Sequence, residues 1–344
     1  MTTFADGLFQ YGGMPVGPSG VPVPFTGKWW FVDPVNGADG NPGNAPNRAF
    51  ATLYQAHAKA GDGNNDVVVL IGNGQSSGTA RLSTALAQTI DSSVTSGTLN
   101  WTKNALHLIG IGSPSNNSRA RIAPPTGTYT QATFGSGNLV VVTGEDCFFS
   151  NISAYHGFST GGTNQIAWTD NGQRNVYVNC EFLGINDAAS AANTGSRSLK
   201  IGTDGKGEHR FIRCIIGGDT TARSVANASL ELAGGTPRNT FEDCIFPFQT
   251  SNAGVLGILG TGAACIDRWN LFKGCTFVNN IKSTSTQMTV LASLTNAAPG
   301  GLLIFKDCVS IGQTKFGDTN ALANSYIDMA AVSASAGGLG VNPS

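Results

Sequence analysis

Charge is scarce in this chain: 12% of its 344 residues are Asp, Glu, Lys or Arg, and 20 basic against 21 acidic side chains leave a net charge of −1. Without clustered Lys and Arg it lacks the electrostatic footprint by which proteins hold nucleic acid. No run reaches the roughly 18 to 20 apolar residues of a membrane-crossing helix. The first residues show neither the basic nor the apolar region of a secretory signal. The expectation is folding in a cytoplasm, with no membrane and no nucleic-acid partner. The four histidines, His57, His107, His156 and His209, stand at no ligand spacing. The seven cysteines match neither zinc pairs nor a redox pair, so neither a metal nor a cofactor is expected. Acids are few as well, which limits the paired carboxylates that glycoside hydrolysis needs.

What the chain does have is a phrase written six times: FSNISA, YVNCEF, FIRCII, FEDCIF, FKGCTF and FKDCVS, between Phe149 and Ser310. An aromatic is followed three residues later by Cys180, Cys214, Cys244, Cys275 or Cys308, with Ile152 at the same place in the first phrase. Positions 152, 180, 214, 244, 275 and 308 lie 28, 34, 30, 31 and 33 residues apart, the spacing of a stacked structural unit with variable loops. Strand side chains alternate, so residues three apart face opposite ways unless the backbone bends between them. The residue before the small one is Asn151, Asn179, Asp243, Gly274 and Asp307, types that tolerate left-handed angles, with Arg213 the exception. One such bend per coil returns aromatic and Cys to the interior. Turn segments precede the phrases, and short apolar runs such as QIAWT, SLKIG, SLELA and VLGIL precede the turns. Two or three short strands per coil, stacked coil on coil, predict an all-β parallel β-helix. The five cysteines then form an interior structural ladder about 4.8 Å from rung to rung, with no disulfide.

The 46 glycines and the abundance of Ser, Thr and Asn suit a solenoid with many tight turns. Three regions are expected. Residues 1–28 read as an extended Gly/Pro-rich arm whose Phe4, Leu8, Phe9, Tyr11 and Phe25 are partner-binding anchors. Residues 29–315 form the β-helix, with a short amphipathic cap helix at about 49–61. Residues 316–344 form a C-terminal cap and tail.

The stretch from Trp29 to Gly74, with an aromatic-Val-Asp strand, a Gly/Asp/Asn loop, Phe50-Ala-Thr-Leu opening the cap helix and then a Val-rich coil, resembles the N-terminal entry of pectate-lyase-like right-handed β-helices. With the opening ADGLFQYGGMPV it is similar to the virion members of that group, the bacteriophage tailspikes and surface proteins. The resemblance implies a right-handed parallel β-helix, a homotrimer and a virion location after assembly in the host cytoplasm. It further implies major capsid protein or other virion proteins as partners.

Catalytic chemistry finds little support at this level. Asp170 and Asp204 follow equivalent runs and are weak candidates for an acid pair, but Asp-Asn-Gly and Asp-Gly read equally as turns. Asp187, Glu181, Asp219 and Glu231 are further acids, and Arg197 or Lys200 could be a lyase base, without an acidic cluster beside them. The expectation is therefore a non-enzymatic virion structural protein, a head protein decorating or stabilising the capsid. The alternative is a tailspike or fibre that binds host surface polysaccharide, with or without cleaving it, with Trp168 and Trp269 stacking on sugars.

Overall fold

The computed structural model describes residues 10–11, 14–15, 26–72, 98–112, 119–123, 137–156, 165–202, 206–280, 286–296 and 298–332. Its core is a parallel β-helix made of a 17-stranded sheet and an eight-stranded sheet. One coil shows the plan. Ile166–Asp170 lies in the eight-stranded sheet, a corner leads to Val176–Val178, Asn179 bends the chain, and Glu181–Leu183 completes the turn. The apolar runs seen in the sequence are the strands Ile166–Asp170, Arg197–Ile201, Ala228–Ala233 and Leu256–Thr261, paired in parallel with their neighbours.

The bend takes the form its residue types suggest. Asn151, Asn179, Arg213, Asp243, Gly274 and Asp307 have φ of 56°, 53°, 53°, 53°, 62° and 53°, so Arg213 shares the left-handed angle. With parity broken there, the aromatic two residues before the bend and the Cys or Ile152 just after it both turn inward. Phe149, Tyr177, Phe211, Phe241, Phe272 and Phe305 form one continuous stack, with centroids 4.6–4.8 Å apart and planes within 8° of parallel. That spacing is the inter-strand distance, so in-register pairing itself sets the stacking. Cys180, Cys214, Cys244, Cys275 and Cys308 are buried free thiols beside it. Each donates to the carbonyl of an aromatic on the preceding coil, for example Cys244 to Phe211 at 3.4 Å. Burial pushes the Cys180 and Cys244 thiols well above their ordinary range, so they stay protonated.

A second left-handed column, at Asp146, Arg174, Glu208 and Arg238, lies at the corner that follows the eight-stranded sheet. Just inside it the buried side chains of Asn175, His209, Asn239 and Asn270 satisfy the turn backbone. Asn175 accepts from Cys147 N–H at 2.8 Å, Asn239 accepts from His209 N–H at 3.0 Å, and Asn239 donates to Asn270 at 2.7 Å. Unpaired buried amides are costly, so these residues make each corner tenable.

Trp29–Val32 pairs with Val67–Gly72, which makes it the first rung. The cap helix is shorter than the sequence suggests, Leu53–Lys59, because Phe50 is held by Val32 in a β-bridge. Thr52 is the N-cap, accepting from Gln55 N–H. At the other end the helix continues past 315: Gln313–Gly317 and Ser325–Val332 add strands around the short helix Thr319–Ala323. The arm anchors Phe4, Leu8, Phe9 and Phe25 lie outside the described residues, as does the side chain of Tyr11.

Candidate functional site

Two sequence candidates move inside. Trp168 is 0% exposed. Its ring packs edge-on to Phe149 at 5.2 Å, and its Nε1 donates to Tyr177 Oη at 3.0 Å. It is a core residue and not a sugar-stacking one, because it occupies the inward face of its strand. Asp170 is also 0% exposed. It accepts hydrogen bonds from Gly172 N–H at 2.8 Å, Asn175 Nδ2 at 3.1 Å and Tyr177 Oη at 2.5 Å. A carboxylate so enclosed and so fully used holds a corner together and cannot reach a polysaccharide, which corrects the expectation of catalysis at Asp170. Asp204 lies outside the described residues.

Arg197, Lys200 and Glu231 come together on the outer face of the eight-stranded sheet. Arg197 Nε donates to Glu231 at 2.7 Å, Lys200 Nζ lies 3.4 Å away on its other oxygen, and Thr261 Oγ1 donates at 2.9 Å. Burial pushes the Glu231 carboxyl up, but Arg197, Lys200 and Thr261 outweigh it and hold the group below its ordinary value. Glu231 is a fixed anion, without the proton a general acid needs.

The open chemistry lies on the outer face of the long sheet toward the C-terminal end. Three rows of outward side chains run across the coils there. Trp269 is level with Leu302. Leu271, Ile304 and Tyr326 form the next row, and Glu242, Lys273, Lys306 and Asp328 the third. Trp269 is half-buried, whereas Leu302 is 46% and Tyr326 62% exposed. Large exposed apolar side chains beside charged ones suit a ligand with both apolar faces and hydroxyl edges.

The bend column borders this face. Asp243 and Asp307 are exposed, sit on alternate coils and have Gly274 between them. At about 4.8 Å per rung their Cα atoms stand roughly 10 Å apart. The Asp243 carboxylate leans over the glycine: a Cβ at Gly274 would fall 2.4 Å from its Oδ1. Neither carboxylate has a hydrogen-bond or ion-pair partner among the described residues. Glycoside cleavage uses two carboxylates roughly 5 to 10 Å apart, and here two unengaged ones stand on alternate coils of one column. The sequence carries the signal in FEDC, FKGC and FKDC, where acid, glycine and acid follow each other at one repeat position, but as bend formers they do not stand out as a pair.

No family model and no curated protein matches the chain. Solved structures do match its fold. A rhamnogalacturonan lyase superposes with a TM-score of 0.56 at 13% identity, over 85% of this chain and 70% of that one. The pectate lyase Pel9A gives 0.56 at 16% identity, over 83% of this chain and 64% of that one. A pectin methylesterase from Aspergillus niger gives 0.50 at 11% identity, over 94% and 89%. The fold is thus the pectate-lyase-like right-handed parallel β-helix. The expectation of a non-enzymatic protein is overturned here, since the structures that share the fold are polysaccharide-processing enzymes.

Proposed function

We propose that the chain binds and cleaves a polysaccharide on the outer face between Trp269 and Asp307. The observation that carries this reading is the pair Asp243 and Asp307, exposed, unengaged and separated only by Gly274. In hydrolysis one carboxylic acid gives its proton to the leaving glycosidic oxygen as the C–O bond breaks. The other carboxylate takes the proton of the attacking water, or first bonds to the sugar carbon itself. Trp269, Leu302 and Tyr326 supply apolar surface for sugar faces, and Lys273, Lys306 and Asp328 supply partners for hydroxyl or acid groups.

The resemblance of the N-terminal stretch to virion β-helices supports a host surface glycan as substrate, with the protein a trimeric tailspike or fibre and the arm of residues 1–28 its attachment. The test is release of new reducing ends from a panel of purified bacterial surface polysaccharides. Wild type should cleave at least one of them, and Asp243→Asn and Asp307→Asn should each lose about 10²- to 10⁴-fold in rate while still binding it. Full activity in both variants, or no cleavage of any glycan by the wild type, defeats the reading.

A further inference from the structure

Arg223 ends the strand Gly218–Arg223 with its side chain wholly inside the coil, 0% exposed. Its Nη2 donates to Ser229 Oγ at 2.8 Å, and its guanidinium carbon lies 5.5 Å from the centre of the Phe248 ring. Nε and Nη1 have no hydrogen-bond partner among the described residues. Among the described residues no carboxylate pairs with it. The charge it feels is that of Arg197, which is itself committed to Glu231 at 2.7 Å. Burial, and then Arg197, lower its pKa to about 9, so it remains a cation at neutral pH. Gly217, at φ +122°, gives it room: a Cβ there would stand 3.4 Å from Nη2 and 2.9 Å from Ser229 Oγ.

An enclosed cation with two idle donors and no acid is an expensive arrangement. An aromatic face offsets part of the charge. A water molecule would use the donors but leave the charge unbalanced. A small anion does both, through charge-assisted hydrogen bonds. We propose that the interior of the helix at Arg223 holds a small monovalent anion of the chloride class, bound by the Nε and Nη1 N–H groups. Because the surrounding side chains are sealed from solvent, the ion is taken up as the coil closes, and its effect appears in the stability of the folded chain.

The experiment compares the full chain in sodium chloride and in sodium gluconate at equal ionic strength, alongside Arg223→Met, and adds diffraction from crystals grown in sodium bromide. The expected result is a melting temperature roughly 2–4 °C higher in chloride for the wild type, no such difference for Arg223→Met, and an anomalous bromide peak within about 3.5 Å of Nε or Nη1. The bromide measurement uses the wild type alone, so it decides the matter even if the variant does not fold. Bromide peaks only on the surface, an adventitious ion only, or equal salt responses in wild type and variant would overturn the proposal.

Discussion

Tyr177 donates its hydroxyl proton to Asp170 at 2.5 Å in the interior of the helix, while its ring stacks between Phe149 and Phe211. One side chain thus belongs to both the aromatic stack and the polar corner. Tyr177→Phe keeps the stack and removes the donor, leaving a buried carboxylate with fewer partners. We expect a loss of about 1–3 kcal/mol in urea unfolding with glycan cleavage unchanged. If cleavage fell in step with a Tyr177→Phe variant of undiminished stability, Asp170 would be a functional group after all.

The coil plan was legible because it rests on repetition. An aromatic and a cysteine three apart demand a bend, and the chain places Asn, Asp or Gly at that bend in five phrases of six. Even Arg213 complies, since the neighbouring rungs impose the angle on it. The site was less legible for the same reason. Asp243 and Asp307 satisfy the bend by their residue type, and nothing in one strand tells a bend-forming acid from a reactive one. Trp168 and Asp170 misled because both lie on the inward face of the strand Ile166–Asp170, so an acid beside an apolar run was interior. The Arg197, Lys200 and Glu231 cluster needed the register of two adjacent coils, which loop lengths varying from coil to coil conceal.

Gly274 separates the two candidate carboxylates and has φ +62°. Gly274→Ala places a methyl group where the Asp243 carboxylate lies, 2.4 Å from Oδ1. The backbone penalty is about 1 kcal/mol, which a structure of this length tolerates. Cleavage should fall at least tenfold while glycan binding persists, as read by reducing-end release and by affinity electrophoresis. Unchanged cleavage would show that the geometry across this glycine is irrelevant.

Trp269 and Tyr326 should contribute to binding and little to folding, since both reach solvent. Trp269→Ala and Tyr326→Ala are each expected to weaken glycan affinity by about 2- to 12-fold, the effect of one aromatic contact, with melting temperatures nearly unchanged. Trp168→Ala should do the opposite and lose about 3–5 kcal/mol of stability, because its ring is packed against Phe149, Tyr177 and Phe182. Equal glycan affinity in all three variants would remove the outer face from consideration.

Buried histidines make the fold sensitive to acid. Burial lowers His57, His107 and His156 to about 4, against an ordinary 6.5. The unfolded chain therefore binds more protons between those values, and stability rises with pH across that window. The contribution of these neutral imidazoles is complete above about pH 6.5 and is lost as pH falls toward 4. The carboxylates act lower: Asp66 and Glu231 are held below their ordinary values, so what they contribute is present above about pH 4.5 and disappears beneath it. Urea midpoints measured at pH 7.5, 5.5 and 4.5 should thus decline ahead of the loss that comes from Asp66 and Glu231. His156→Asn, which cannot take up the proton, should flatten part of that decline, and a midpoint constant from pH 7.5 to 4.5 would show that the imidazoles are reached by solvent.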